Sequence, residues 1–194
     1  MKNIVIIGAG DLGREVVWLI EDINKIKPTY LVLGFLDDYK YKDGGEFYGY
    51  KVIGDIGALE KIAKETPVSA VIAIQDGDAR RRIVEEHPDF DSWETIIHPT
   101  AVIASTSPVG KGSVIFPHVT VSVNTKIDDF VLLYIHAVIC NDCNISKYVS
   151  VMFGTMIGER VDVGKACNLG AGCIIGPHLK LEDNKNVDFG TTLK

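Results

Sequence analysis

Two periodicities divide this chain. From Ile97 onward every sixth residue is Val, Ile or Leu: Ile97, Ile103, Val109, Ile115, Val121, Ile127, Leu133, Ile139, Ile145, Val151, Ile157, Val163, Leu169, Ile175, Leu181, Val187 and Leu193. A helix repeats near 3.6 residues and a flat strand at 2, so neither demands a period of six. A ribbon of short strands wound round a prism does, because each face contributes one inward aliphatic per pass. The residue two positions earlier is small or β-branched, as at Ser107, Ser113, Thr125, Ala137, Cys143, Thr155, Cys167 and Cys173. Such residues suit a tight interior beside a large side chain. Gly110, Gly158, Gly164, Gly170 and Gly176 follow directly on aliphatic positions, where the chain must turn. The pattern predicts a parallel β-helix of hexapeptide repeats over residues 97–194.

Before that point the pattern is of alternating strands and helices. Lys2–Ile7 reads as a buried strand, and Gly8-Ala9-Gly10-Asp11-Leu12-Gly13 follows it at once. An amphipathic helix is predicted from about Leu12 to Asn24, with Val16, Leu19, Ile20 and Ile23 on one side. Strand, G-x-G-x-x-G and helix in that order form a phosphate-cradling turn, in which glycine admits a phosphate close to the backbone. Tyr30–Leu36 is a second strand and ends in Asp37-Asp38, where acidic residues suit a ribose or base contact. Lys40–Gly49 reads as a polar loop, Val52-Ile53 as the start of a strand or turn, Ile56–Glu65 as a helix, and Val68–Ile74 as a third strong strand. A helix carrying Arg80, Arg81 and Arg82 follows, then a last strand or crossover from Trp93 to Ile97. His98-Pro99-Thr100 marks the change of period, so two domains are expected, 1–96 and 97–194. The first is half of a doubly wound dinucleotide fold, room for a nucleotide but without the second half a dehydrogenase would use.

Composition narrows the functions further. Net charge is −6 and no Lys/Arg run stands out, which argues against a nucleic-acid binder. No window approaches the roughly 18 apolar residues of a membrane span, and MKNIVIIGAG is too short an apolar run for a signal peptide. A cytoplasmic protein is expected. Three of the four cysteines, Cys143, Cys167 and Cys173, fall in the small interior column, and Cys140 lies in the repeat register too. They read as buried small hydrophobes rather than a disulfide or zinc set. His118 and His136 stand 18 residues apart, one coil, and should stack at about 4.8 Å. No three histidines share a column, so no metal site is expected.

A nucleotide-binding domain opening IVIIGAGDLGREV, a strand ending FLDD, an IHPTA junction and a hexapeptide β-helix together resemble the bacterial sugar O-/N-acyltransferases. Sialic-acid O-acetyltransferases and the N-acetyltransferases of UDP-linked amino sugars belong to that group. The resemblance implies a Rossmann-like α/β half-domain followed by a left-handed parallel β-helix, assembled as a homotrimer with active sites between neighbouring β-helices. It implies a nucleotide-sugar held by Gly8, Gly10, Asp11, Gly13, Asp37 and Asp38. It further implies acetyl-CoA as acyl donor, lying in the outer groove near Ser150, Gly154, Gly158, Gly170 and Ala171.

Transfer to an amine or hydroxyl needs a base, and a histidine beside a carboxylate suits the task. In the family the base sits in a His-Asp/Glu-Cys segment. The matching segment here is Asn141-Asp142-Cys143, and an asparagine carries no titratable proton. A second family histidine matches Ser150, and a family glycine matches Glu159, while Asp142 and Gly154 are kept. His136 is the alternative catalytic residue, acting with Asn141 and Asp142 across a subunit boundary; lining an interface is its other reading. Two functions stay open: an acetyl-CoA-dependent acyltransferase on an amine or hydroxyl of a nucleotide-linked sugar, or a catalytically silent trimeric relative that binds nucleotide-sugars.

Overall fold

The structure is a computed structural model and describes residues 1–40 and 45–194. The chain separates into two compact units, Met1–Gln75 with Ala79–Ile96, and Asp76–Asp78 with Ile97–Lys194.

In the first unit, strand β1 (Lys2–Ile7) leads into helix α1 (Asp11–Ile26) and strand β2 (Tyr30–Leu36). Strands β3 (Glu46–Phe47) and β4 (Tyr50–Gly54), helix α2 (Leu59–Glu65), strand β5 (Ser69–Ile72) and, from Ala79 on, helix α3 (Gly77–Glu86) follow. The sheet order is β3-β4-β2-β1-β5, parallel except for β3. Ile4, Val5, Ile6 and Ile7 are fully buried, which is why β1 is a continuous apolar run rather than an alternating one. Helix α1 lays Leu12, Val16, Leu19 and Ile20 into the core. It ends where Pro28 forces the preceding Lys27 out of helical geometry, to φ −146° and ψ 117°.

The differences from the sequence reading are local. Part of the expected Lys40–Gly49 loop lies outside the described residues; the rest includes β3, joined to β4 by a hairpin turn. Tyr48 and Gly49 both take positive φ there, 52° and 78°, as a primed two-residue turn requires. The expected helix over 56–65 begins as a 3-10 turn, Ile56–Ala58, capped by Asp55, before α2 starts. The third strand is confined to Ser69–Ile72, and Trp93 makes only an isolated bridge to Ala70.

The second unit is a parallel β-helix of two-residue strands in three parallel sheets. Each strand pairs with the one 18 residues away, as Lys126 with Asn144 and Val138 with Met156. The period-six aliphatics from Ile115 to Val187 are all buried, at 7% exposure or less. Ile97, on the first coil, is 38% exposed. The small inward column is chosen for more than size. Thr125 Oγ1 donates to the Cys140 carbonyl at 2.7 Å and accepts from the Cys143 N–H at 3.2 Å. Ser107 does the same between Ser122 and Thr125, and Cys143 Sγ donates to the Gly158 carbonyl. These side chains satisfy interior backbone groups between successive coils.

The three outer faces differ. One sheet presents Lys126, Asn144, Asp162 and Lys180 outward. A second buries Val114, Leu132 and Ser150. The third presents an apolar stripe in which Val102, Met156 and Ile174 are 64%, 49% and 46% exposed, with Val138 half-buried between them.

Candidate functional site

In the first unit, the loop between β1 and α1 and the first turn of α1 together contain three glycines with different reasons for being glycine. Gly8 has φ +101°, and a Cβ there would stand 2.8 Å from the Ala73 carbonyl oxygen. A Cβ on Gly13 would stand 2.2 Å from the Gly8 carbonyl oxygen and 3.1 Å from the Phe35 ring. Both are demanded by the chain's own packing. Gly10 has an ordinary φ of −91°, and nothing lies within 4 Å of where its Cβ would be. Its backbone opens onto free space at the start of a 16-residue helix with no side-chain cap. Free N–H groups and the positive end of the helix dipole make that space suited to an anion.

Asp37 organises this loop. Its carboxylate accepts the Ala9 N–H at 2.9 Å, the Tyr39 N–H at 3.0 Å and the Lys40 N–H at 2.8 Å. Burial acts to raise its pKa, but the backbone donors of Lys40, Ala9 and Tyr39 and the Lys40 charge prevail and hold it below the usual carboxylate range. Asp38 accepts the Ile56 N–H at 2.9 Å. Lys40, which no spacing in the sequence singled out, donates Nζ to the Ala9 carbonyl at 2.5 Å and lies over the Phe47 ring. Asp11 is exposed and pairs with Arg14 at 3.0 Å. A cleft of about 760 Å³ lined by Lys2, Asn3, Phe90, Trp93 and Glu94 lies at the opposite, amino-terminal ends of β1 and β5. Nucleotides bind such sheets at the carboxyl ends of the strands, so the Gly10 side is the better site.

In the β-helix, the candidate site residues stack in corner columns. Asn124, Asp142, Arg160 and His178 share one, each with positive φ. Asp142 accepts from Asn141 Nδ2 at 2.7 Å and from Asn124 Nδ2 at 3.2 Å, and Arg160 stands 3.9 Å away. The Asn141 amide, then Asn124, then Arg160 hold its pKa down. Reading every eighteenth residue from Asp142 would have found Asn124 and Arg160. His118 and His136 stack at the neighbouring corner, ring centroids 5.0 Å apart. That corner is six residues and a full face from Asp142, so one chain does not bring His136 to Asn141 and Asp142. Ser150 is 1% exposed and does not face open solvent. Gly158 and Gly170 are required by coil packing, since a Cβ would meet Pro177 at 2.8 Å or Phe189 at 2.7 Å. Gly154, at φ +63°, has nothing within 4 Å; Gly172 and Gly190 repeat it one and two coils on. Ala171 immediately precedes Gly172 and is half-buried. His98 Nδ1 is engaged with Thr100 Oγ1 at 2.9 Å in the junction turn. Among the described residues no cluster of three His, Cys, Asp or Glu side chains could hold a metal, and no helix is long and apolar enough to cross a membrane.

A Rossmann-like half-domain with an open glycine loop, followed by a hexapeptide β-helix, defines a nucleotide-binding protein of the acyltransferase type. Residues 3–87 match the PglD N-terminal domain and residues 95–193 the GMPPB C-terminal domain. The chain belongs to the family of the GMPPB C-terminal domain, whose match covers just over half of it, and is similar in its first part to the PglD N-terminal domain. It is 29% identical to the GDP-perosamine N-acetyltransferase of Escherichia coli O157:H7 over 173 residues, 88% of this chain and 76% of that one. It is 30% identical to the UDP-N-acetylbacillosamine N-acetyltransferase of Bacillus subtilis over 118 residues, 59% of this chain and 51% of that one. The fold matches a histidine-to-asparagine variant of perosamine N-acetyltransferase from Caulobacter crescentus, crystallised with CoA and GDP-perosamine. There the TM-score is 0.90 at 24% identity, covering 100% of this chain and 89% of that one.

Proposed function

We propose that this protein transfers the acetyl group of acetyl-CoA to the amine of a nucleotide-linked amino sugar, working in the cytoplasm as a homotrimer. The observation that carries the nucleotide half is Gly10, a glycine whose own fold gives it no reason to lack a side chain. A phosphate approaching the backbone supplies one. Asp37 and Asp38 then act chiefly by fixing the loops around the ligand, since their carboxylates already hold backbone N–H groups.

The relatives named above act on GDP-perosamine and UDP-N-acetylbacillosamine, both nucleotide-linked sugars, which supports an amine acceptor over a hydroxyl. An amine is also the stronger nucleophile and asks less of the protein. The apolar stripe of Val102, Val138, Met156 and Ile174 supports assembly, because a lone chain would leave it in water. Copies packed on that face would bring their corners together. Asn141 and Asp142 would meet the acceptor sugar at that cleft, His136 would line it from the adjoining corner, and the open corner at Gly154 would leave room for the donor's thioester arm. The experiment is incubation with acetyl-CoA and GDP- or UDP-linked amino sugars, read by mass spectrometry of the sugar product. Nucleotide-sugar binding by calorimetry without any acetylated product would overturn the reading in favour of a silent binding protein.

A further inference from the structure

Acyl transfer to an amine needs a group that accepts a proton near neutral pH, and Asn141 has none. The β-helix unit contains four histidines. His98 is buried with Nδ1 engaged by Thr100. His118 and His136 stack on each other, and neither has a carboxylate within ion-pair reach among the described residues. His178 differs from all three. Its Nε2 stands 3.6 Å from Glu159 Oε1, and its backbone N–H donates to the Glu159 carbonyl at 2.9 Å. The ring is 61% exposed, with Nδ1 left without a partner among the described residues.

The pair also stands in the right row. Glu159 follows Asn141 by 18 residues, one coil down the same outward row, at about 4.8 Å. His178 occupies the column of Asp142 two coils on. Between them Arg160 reaches Glu159 Oε1 at 3.0 Å and Asp142 Oδ2 at 3.9 Å. Asn141, Asp142, Glu159, Arg160 and His178 thus form one polar strip beside the apolar stripe of Val138, Met156 and Ile174. Resting on the acetyl-transfer reading above, we propose that His178, oriented by Glu159, is the general base of the reaction.

The step balances without any further reactant. The acceptor nitrogen bonds to the thioester carbonyl carbon, and the carbon–sulfur bond breaks. One proton leaves the nitrogen for His178 Nδ1 and is returned to the departing CoA sulfur, giving an amide and a thiol. Glu159 and Arg160 are the charged groups that face this corner: the carboxylate steadies the imidazolium formed in the step, and Arg160 limits that effect.

The test is steady-state kinetics of the full-length protein with its best nucleotide-linked amino sugar. His178→Ala is expected to lower kcat about a hundredfold or more, with the KM for either substrate little changed. Glu159→Gln should give a smaller loss, about tenfold. Unchanged turnover in His178→Ala, a rise in KM for acetyl-CoA at constant kcat, or loss of turnover confined to His136→Ala would each overturn the assignment. If wild-type protein acetylates no amino sugar, the acetyl-transfer reading itself falls and the dyad with it. If wild type and His178→Ala are equally active, only the dyad falls.

Discussion

Gly10→Ala and Gly13→Ala are neighbouring changes of one methyl group, and the geometry separates their effects. At Gly13 the new Cβ would stand 2.2 Å from the Gly8 carbonyl oxygen, with Phe35 at 3.1 Å. Backbone cannot yield there as a flexible side-chain tip would, so overpacking of about 2 kcal/mol or more is expected. For a unit of this size that lowers the unfolding midpoint by about 8–16 °C. At Gly10 the new Cβ meets nothing within 4 Å, and φ −91° is open to alanine. The lost capping preference and the stiffer unfolded chain oppose each other, so stability should stay within about 1 kcal/mol of wild type. The methyl group instead enters the open space proposed for the phosphate. If it prevents close approach at only one N–H donor, affinity falls about tenfold, equivalent to about 1.4 kcal/mol. Differential scanning calorimetry and titration calorimetry with GDP- and UDP-sugars read the two quantities separately. Wild-type nucleotide affinity in a stably folded Gly10→Ala protein would refute the placement of the phosphate.

Three further outcomes follow from the same geometry. The Asp37 carboxyl has a lower pKa folded than unfolded, so the folded state binds fewer protons in acid; its stabilisation is full above the ordinary value of about 3.9 and is lost as pH falls through the folded value. Asp37→Asn should therefore flatten the acid limb of a stability-against-pH curve, and an unaltered limb would remove Asp37 as the loop's organiser. Burial pushes the Cys143, Cys167 and Cys173 thiols up, while Cys140 is partly exposed, so iodoacetamide on native protein should label Cys140 alone, as peptide mass spectrometry would show. If the protein is the proposed homotrimer, Met156→Glu should leave the circular dichroism spectrum intact and reduce the light-scattering mass to that of one chain, because a charge in the apolar stripe opposes its burial; an unchanged mass would move the proposed interface elsewhere.

The β-helix was legible because one residue in six had to be aliphatic, a constraint with no local exceptions from Ile115 to Val187. The three-strand core of the α/β unit was legible for a similar reason, since Ile4–Ile7 is apolar throughout and runs directly into the amphipathic pattern of α1. The hairpin at Tyr48-Gly49 was not, because a tyrosine at positive φ gives none of the usual Asn-Gly signal. The roles of the glycines were hidden for another reason. Gly8, Gly10 and Gly13 look alike in a motif, but only coordinates reveal that two face backbone atoms and one faces open space. Asp37 shows the same limit: an acid at a strand end suggested a ligand contact, and its hydrogen bonds go to Ala9, Tyr39 and Lys40.

The two units also differ in how they tolerate change at a functional position. In the α/β unit the proposed phosphate space is made by one loop, and among the described residues no second segment repeats Gly10. In the β-helix every outward residue has equivalents one coil away, stacked at about 4.8 Å. A group lost from one coil can be supplied by the next without moving the ligand far. Asn141 and Glu159 are such equivalents, and Asp142, Arg160 and His178 continue the neighbouring column. Kinetics should therefore find the corner's essential groups shared between coils, so that Asn141→His introduced into His178→Ala restores part of the lost turnover. No recovery in that double variant would mean that the coils are not interchangeable at this corner.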